Sequence, residues 1–221
     1  MSEITEFFNS SPESVSTSVK LFLLLTVLSI TPGILMVMTS FTRIVIVLSF
    51  VRTSLATPQM PPNQVIVGLS LFLTFFIMAP TFNEVNNEAL TPLFQDEITL
   101  EEAYTKAAVP FKEFMSKHTR QKDLELFLTY TESEPPESIQ DIPLQALVPA
   151  FALSEMKTAF QIGFMIFIPF LVIDMVVASV LMSMGMMMLP PMMISLPFKI
   201  LLFVLVDGWY LVIKSLLESF T

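Results

Sequence analysis

Two long apolar blocks constrain this chain more than any other feature. They cover about residues 21–80 and 146–221, and a hydrophilic stretch lies between them. The whole chain is 53% hydrophobic and only 14% charged, a composition typical of membrane proteins. A helix needs about 20 apolar residues to cross roughly 30 Å of hydrocarbon. The blocks therefore predict an all-α membrane-associated protein with a hairpin of membrane helices in each block.

The first block predicts a broken hairpin. Its opening run ends near Val51, is too long for one span and contains Pro32 and Gly33. It therefore forms either one span with a bent continuation or two short helices. The stretch TPQMPPN predicts the turn, and the second arm ends at Pro80.

The second block predicts another hairpin with a turn that is rich in methionine. Seven of the chain's 16 methionines lie in MSMGMMMLPPMM, residues 182–193. Pro169 and Pro197 are expected to interrupt the two arms, where neighbouring helices can satisfy the freed carbonyls.

The clustered methionines differ from the scattered ones. Methionine adapts to irregular gaps, so isolated residues such as Met78 are expected to fill the core. Three in a row, Met186, Met187 and Met188, cannot all face one side of a helix. If identical subunits surrounded an axis, such turns would meet as a ring of soft thioethers that could close and also deform around a passing chain.

The hydrophilic insert, residues 81–145, carries most of the net charge. It contains 13 acidic and 5 basic residues, and the whole chain has a formal net charge of −9. No basic patch is available to neutralise phosphates, which argues against nucleic-acid binding. By the positive-inside rule, Arg43 and Arg52 place their end of the first hairpin in the cytoplasm and the insert outside.

Local signals predict some structure within the insert. Thr99 and Glu102 have the spacing of a capping box, and Pro110 suits the first position of a further helix. The stretch TESEPPESIQDIP predicts a flexible acidic loop. His118, the single histidine, is expected to be a solvated surface residue.

The polar N-terminal segment, residues 1–20, carries glutamates before its first basic residue, Lys20. It lacks the basic start and the cleavage site of a secretory signal. We therefore expect the first apolar run to belong to the mature protein.

Catalysis has little support in the sequence. The chain has no cysteine, one histidine and five scattered glycines. These residues provide no metal-ligand spacing, no nucleophile with its base and no phosphate-binding loop. We expect no cofactor and no metal, and an intramembrane hydrolase is disfavoured.

Charged residues within the apolar runs are more informative. Each costs about 2.5–3.5 kcal/mol at the centre of a membrane helix, so it must face protein or water. These residues are Arg43, Asp174, Lys199, Asp207 and Lys214. Asp174 either relays protons or is a structural partner for a base such as Arg43 or for polar backbone at a helix break. Asp207 and Lys214 are about two turns apart, so each is better placed to pair with another helix or subunit.

Three segments stand out in a chain with the order hairpin, acidic insert, hairpin. The first hairpin contains FTRIVIVLSFVRTSLATPQMPPNQV, and the second contains PAFALSEMKTAFQIGF and MGMMMLPPMMISLPFKILLFVLVDGW. Through them the chain, from about Leu21 to its end, resembles the FliP family of the flagellar type III export apparatus, which has homologues in virulence secretion systems.

The resemblance implies a function and a set of partners. Family members assemble in several copies, a pentamer, with FliQ and FliR into a helical oligomer around a pore. This gate lies next to FlhA and FlhB in the basal body of the bacterial cell membrane, in contact with lipid, and unfolded flagellar subunits pass through it.

The resemblance also implies roles for particular residues. The methionine loop of Met186, Met187 and Met188, flanked by Met184 and Gly185, would constrict the pore. Glu155 and Lys199 would form an ion pair between adjacent subunits.

A transporter is the alternative from another functional class. A secondary transporter or proton-conducting subunit would use Asp174 as its relay, with broken helices around it. The chain offers one deep acid and no inverted repeat, so the export channel is favoured.

Overall fold

The computed structural model describes residues 36–57, 59–131, 136, 138–186 and 189–220, together with residues 19, 22, 25, 26, 29, 30, 33 and 34. Within these ranges every regular element is a helix. The chain divides into two compact units, Met1–Val37 and Met38–Thr221. In the first unit the described residues from 19 to 37 are helical. Gly33 is among them, whereas Pro32 of the predicted break lies outside the described residues.

The second unit opens with a helical hairpin. Helix α1 (Phe41–Ser54) follows a turn at residues 38–40, and helix α2 (Asn63–Ile77) runs back along it. Helix α1 buries Ile44, Val47, Leu48 and Val51. This spacing gives one continuous apolar stripe on an α-helix.

The insert is mostly helical. It consists of α3 (Ala79–Val85), a π-helical turn (Asn86–Leu90), α4 (Thr91–Phe94), α5 (Leu100–His118), α6 (Gln121–Tyr130) and a 3-10 turn (Ile139–Asp141). The predicted capping box is confirmed, because the Glu102 backbone N–H donates to Thr99 Oγ1 and the Thr99 N–H donates to Glu102 Oε2. The Thr99 backbone N–H and then the Thr99 hydroxyl, both of which donate to Glu102 Oε2, hold the pKa of Glu102 below its usual value.

The structure corrects two expectations for the insert. Pro110 does not begin a helix but lies buried inside α5. A proline removes one intrahelical hydrogen bond, but α5 continues through Pro110, and Ala103 and Met115 on either side of it are buried as well. The acidic loop contains the 3-10 turn, while residues 132–135 and 137 lie outside the described residues, so its flexibility stays a prediction.

The second hairpin is built from three helices. They are α7 (Leu144–Ser183), α8 (Pro191–Leu205) and α9 (Gly208–Glu218). The expectation that Pro169 and Pro197 interrupt the arms is wrong, because α7 and α8 continue through them.

The break in this hairpin lies between α8 and α9, which meet at 63°. Asp207 adopts a left-handed backbone (φ 52°) there. A Cβ on Gly208 would approach the Phe203 ring to 2.3 Å. Glycine is therefore needed at this bend.

Among the described residues, one helix, α7, is long and apolar enough to cross a membrane by itself. Two bent pairs pass the same test jointly: α2 with Ala79–Phe94, bent by 61°, and α8 with α9. With its 40 residues, α7 extends for about 60 Å, roughly twice the thickness of the hydrocarbon layer. A bilayer alone therefore cannot account for its whole apolar length.

The main core lies where α1 packs along the first half of α7. A Cβ on Gly163 would meet the base of the Phe50 ring at 2.5 Å, so the two backbones approach closely. Phe50 also packs edge-on against Phe160, with the ring centroids 5.4 Å apart. A second cluster joins the insert to α7 and consists of Met115, Ile142, Leu147 and Phe151.

Candidate functional site

The methionine-rich stretch forms the turn between α7 and α8. The N–H of Gly185 donates to the Met182 carbonyl and the N–H of Met186 donates to the Leu181 carbonyl, both at 3.0 Å. This is a Schellman motif, which ends a helix with a left-handed residue. Gly185 supplies it with a φ of 74°, which a residue with a side chain rarely adopts. Pro191 then begins α8, where a missing N–H costs nothing.

The methionines of this turn face outward. Met184 and Met186 are 66% and 41% exposed, and Met182, Met192 and Met193 are exposed as well. In contrast, Met78 and Met115 are completely buried and fill the core. Met187 and Met188 lie outside the described residues. The turn therefore presents thioethers that the described part of the chain does not cover.

A polar cluster of Asp174, Ser195 and Lys199 joins the two arms below this turn. Lys199 Nζ lies 2.6 Å from Asp174 Oδ2, and Ser195 Oγ donates to Asp174 Oδ1 at 2.5 Å. Lys199 is 1% exposed and Ser195 is fully buried, while the Asp174 side chain retains 26% exposure. Both carboxylate oxygens of Asp174 are thus engaged by α8.

A second polar centre surrounds Arg43 of α1. Its Nε donates to Glu155 Oε2 at 2.8 Å and its Nη2 pairs with Glu155 Oε1. Its Nη1 donates to the carbonyl oxygen of Ser219 at 2.8 Å and to the Ser219 hydroxyl at 3.0 Å. The guanidinium also lies 3.8 Å from the centroid of the Phe220 ring, a cation–π geometry. One buried arginine therefore ties α1, α7 and the C-terminal residues together.

These contacts settle the partners of the charged residues within the chain. Asp174 pairs with Lys199 and not with Arg43, which pairs with Glu155. The pair of Glu155 and Lys199 between subunits stays a prediction, and the partners seen here compete with it. Because Arg43 is buried and paired, the predicted membrane topology now depends on Arg52 alone.

The other two charges lie near the end of the chain. Asp207 is exposed at the bend before α9. Lys214 is exposed and lies 3.7 Å from Glu218, one turn further along the same helix. A pair this exposed contributes little stability.

His118 is not the solvated residue that its sequence context predicts. Its ring lies against Phe114 and Phe220, with centroid distances of 4.9 and 5.3 Å. Burial, together with the positive charges of Arg43 and Lys117, lowers the pKa of His118 to about 4. The imidazole is therefore neutral at ordinary pH and serves as a packing surface.

The insert is also anchored to α7 by hydrogen bonds. Ser154 donates to Asp123 Oδ2 at 2.6 Å, and the backbone N–H of Arg120 donates to Ser154 Oγ at 3.0 Å. Arg120 Nη2 lies 2.5 Å from the same Asp123 oxygen. The buried carboxylate of Asp123 is thereby paired.

Sequence reasoning missed several of these residues. Ser195 precedes Lys199 by one helical turn, so helical spacing could have placed it on the same face. Ser154, Ser219 and Phe220 carried no such signal, because their partners are distant in the sequence. Among the described residues no group of three or more His, Cys, Asp or Glu could hold a metal ion.

A cavity of about 670 Å³ opens near the methionine turn. It lies between the C-terminal end of α1 and the beginning of α8, and its lining includes Arg52, Thr53, Ala56, Thr57, Met192, Met193 and Leu196. The Arg52 guanidinium donates to Asn63 Oδ1 across the first hairpin. The two hairpin turns therefore lie at the same end of the unit.

Comparison with known proteins identifies the family. A model of the FliP family matches residues 24–216. Flagellar biosynthetic protein FliP of Bacillus subtilis (strain 168) is 76% identical over 221 residues, the whole of both chains. The proteins of the same name from Pectobacterium carotovorum subsp. carotovorum and Aquifex aeolicus (strain VF5) are 54% and 53% identical, over 98% and 92% of this chain and 84% and 86% of their own length. The chain belongs to the FliP family.

Proposed function

We propose that this protein is a component of the flagellar export apparatus in the bacterial cell membrane, at the basal body. Its full-length relatives are named flagellar biosynthetic proteins, after flagellar assembly and not after a catalysed reaction. In this proposal several copies, a pentamer, assemble with FliQ and FliR around a pore for unfolded flagellar subunits, next to FlhA and FlhB.

The exposed methionine turn is the observation that carries the proposal. A Schellman motif and Pro191 place the turn at the end of two apolar arms, and its described methionines are exposed. Thioethers are polarizable and adapt to different shapes. A ring of Met186, Met187 and Met188, flanked by Met184 and Gly185, would therefore close a pore and still yield to substrates of unrelated sequence.

The exposed apolar surface supports assembly with neighbouring subunits. Phe72 and Phe76 of α2 and Phe164 and Met165 of α7 all face outward. Since α7 is about twice as long as a bilayer requires, part of this surface is expected to pack against other copies or partner proteins and part against lipid.

A proton relay through Asp174 has less support. Its carboxylate already accepts from Lys199 and Ser195, so a relay would first have to break both contacts. An ion pair between Glu155 and Lys199 of adjacent subunits is a competing alternative to the contacts within the chain, because Glu155 would have to leave Arg43 and Lys199 would have to leave Asp174. Native mass spectrometry of Glu155→Ala and Lys199→Ala tests it, because an intact oligomer in both variants would exclude a required pair.

Small-ion leak through the assembled complex tests the proposed seal. Cells express the chain with FliQ and FliR, and the wild type is compared with a deletion of Met186 to Met188. Met60 provides a matched control, because it is an exposed methionine in the other hairpin turn. We expect a large leak from the deletion and none from Met60→Ala, with the complex formed in each case. An assembled deletion variant without leak would place the seal elsewhere.

A further inference from the structure

We propose that Asp174, Ser195 and Lys199 form a clasp that holds α7 and α8 in register and thereby sets the position of the methionine turn. They are positioning residues for the seal, so the functional part of this inference rests on the proposed function. The claim that they hold α7 and α8 in register does not rest on that function.

The clasp joins the arms at equal distances from the turn. Asp174 precedes the end of α7 at Ser183 by nine residues, and Lys199 follows the start of α8 at Pro191 by eight. At 1.5 Å per residue both distances are about 12–14 Å. A shift of either arm by one residue would therefore move one side of the turn relative to the other.

Little else fixes the arms between the clasp and the turn. In this part of α7, Leu181 is the buried residue. Met175, Val176 and Val180 are exposed, as are Met192, Met193 and Ile194 on α8. So few apolar contacts do not favour one register over another, and they allow one helix to slide along the other.

The hydrogen bonds among the three polar groups, in contrast, favour one register of the two helices. Lys199 and Ser195 occupy successive turns of one face of α8, and each donates to a different oxygen of Asp174. A shifted register would leave the buried Lys199 ammonium without its carboxylate, and an uncompensated buried charge is strongly unfavourable. Buried polar groups that select one register are the best-attested use of such pairs.

The absence of cysteine allows a direct measurement of register. Spin labels are attached at Met182→Cys and Met193→Cys, exposed positions on the two arms. The labelled chain is diluted with unlabelled copies in the complex, and pulsed EPR measures the distance between the two labels. Leak is measured separately in the cysteine-free chain carrying the same clasp substitutions.

The decisive variants remove the clasp in two ways. D174N removes the charge of the carboxylate and leaves Lys199 unpaired. D174L/K199M removes both charges and so leaves no unpaired buried charge. It therefore remains informative if D174N does not fold. K214M is the control, because it breaks an exposed pair on α9.

We expect a narrow distance distribution in the wild type and in K214M. In D174L/K199M it should be at least twice as broad, and leak should rise severalfold with the complex intact. A distribution as narrow as the wild type in D174L/K199M would overturn the clasp. A broad distribution without leak, in a protein whose Met186 to Met188 deletion also does not leak, would retain the clasp and reject the seal.

Discussion

The two halves of helix α7 are both largely apolar but have very different surroundings. The first half, residues 144–163, contains eight of the ten buried residues of the helix, and the second half, residues 164–183, contains only Phe170 and Leu181. The first half is covered by α1, the insert and the C-terminal residues. The second half contacts α8 and otherwise presents its side chains outward.

The difference shows how a mostly apolar chain distinguishes its own core from surface that it leaves to other molecules. Hydrophobicity alone cannot do so, because both halves are hydrophobic. Polar contacts tie the covered half to two other parts of the chain, because Ser154 is bonded to Asp123 of the insert and Glu155 to Arg43 of α1. In the second half, Asp174 is bonded to α8. Such contacts have one correct geometry, so they determine which elements pack there.

The largest expected effect comes from breaking the Arg43 centre. Glu155→Ala leaves a buried guanidinium without its carboxylate, and we expect a loss of about 3–5 kcal/mol in the free energy of unfolding. Chemical denaturation of the purified protein in detergent measures it. The double variant Arg43→Leu/Glu155→Leu should lose less than Glu155→Ala, and Lys214→Ala should change little. If Glu155→Ala were as mild as Lys214→Ala, the first half of α7 would not depend on this pair.

The next effect concerns the close approach of α1 to α7. Gly163→Ala would place a Cβ against the base of the Phe50 ring, and such overpacking costs about 1–3 kcal/mol. Gly68→Ala in α2 is the matched control, because a Cβ there meets nothing within 4 Å and alanine favours a helix by about 1 kcal/mol. Thermal unfolding of both variants should shift in opposite directions, and a stabilising Gly163→Ala would contradict the packing.

A smaller effect concerns the free energy of unfolding at acidic pH. Because the pKa of His118 is about 4 in the folded protein, against 6.5 ordinarily, the unfolded chain binds the proton first as the pH falls. The free energy of unfolding should therefore decrease from about pH 6.5 and level off below about pH 4. The ring is partly exposed and screened, so we expect a loss on the order of 1 kcal/mol. His118→Phe should remove this part of the pH dependence in unfolding measured from pH 4 to 7.

The smallest effect on folding is expected in the second half of α7. Met165→Ser alters an exposed residue, so the free energy of unfolding of the single chain should change by no more than about 0.5 kcal/mol. Assembly should weaken if this surface packs against neighbouring subunits, and native mass spectrometry of the complex would detect it. Strong destabilisation of the isolated chain would mean that the residue belongs to the chain's own core.

Several features of the site followed from local sequence signals. The methionine turn is one, since Gly185, Pro190 and Pro191 interrupt an apolar run. The capping box at Thr99 is another. These signals act within a few residues, and the backbone geometry they require is the same in any protein.

Other features could not be read from local signals. Pro110, Pro169 and Pro197 appeared to mark helix ends, but α5, α7 and α8 continue through them. His118 appeared solvated beside Lys117, although two phenylalanines cover its ring. For His118, the contact with Phe220 lies far outside the local window.

The sequence by itself determined the family, the two apolar hairpins around an acidic insert, and the presence of charges that must be paired. Hydropathy and turn chemistry are local properties, and the long motifs are specific. Only the tertiary structure decided that Arg43 pairs with Glu155 and Asp174 with Lys199. Any of these acids could satisfy either base, and the choice depends on which helix faces bring them within hydrogen-bonding distance.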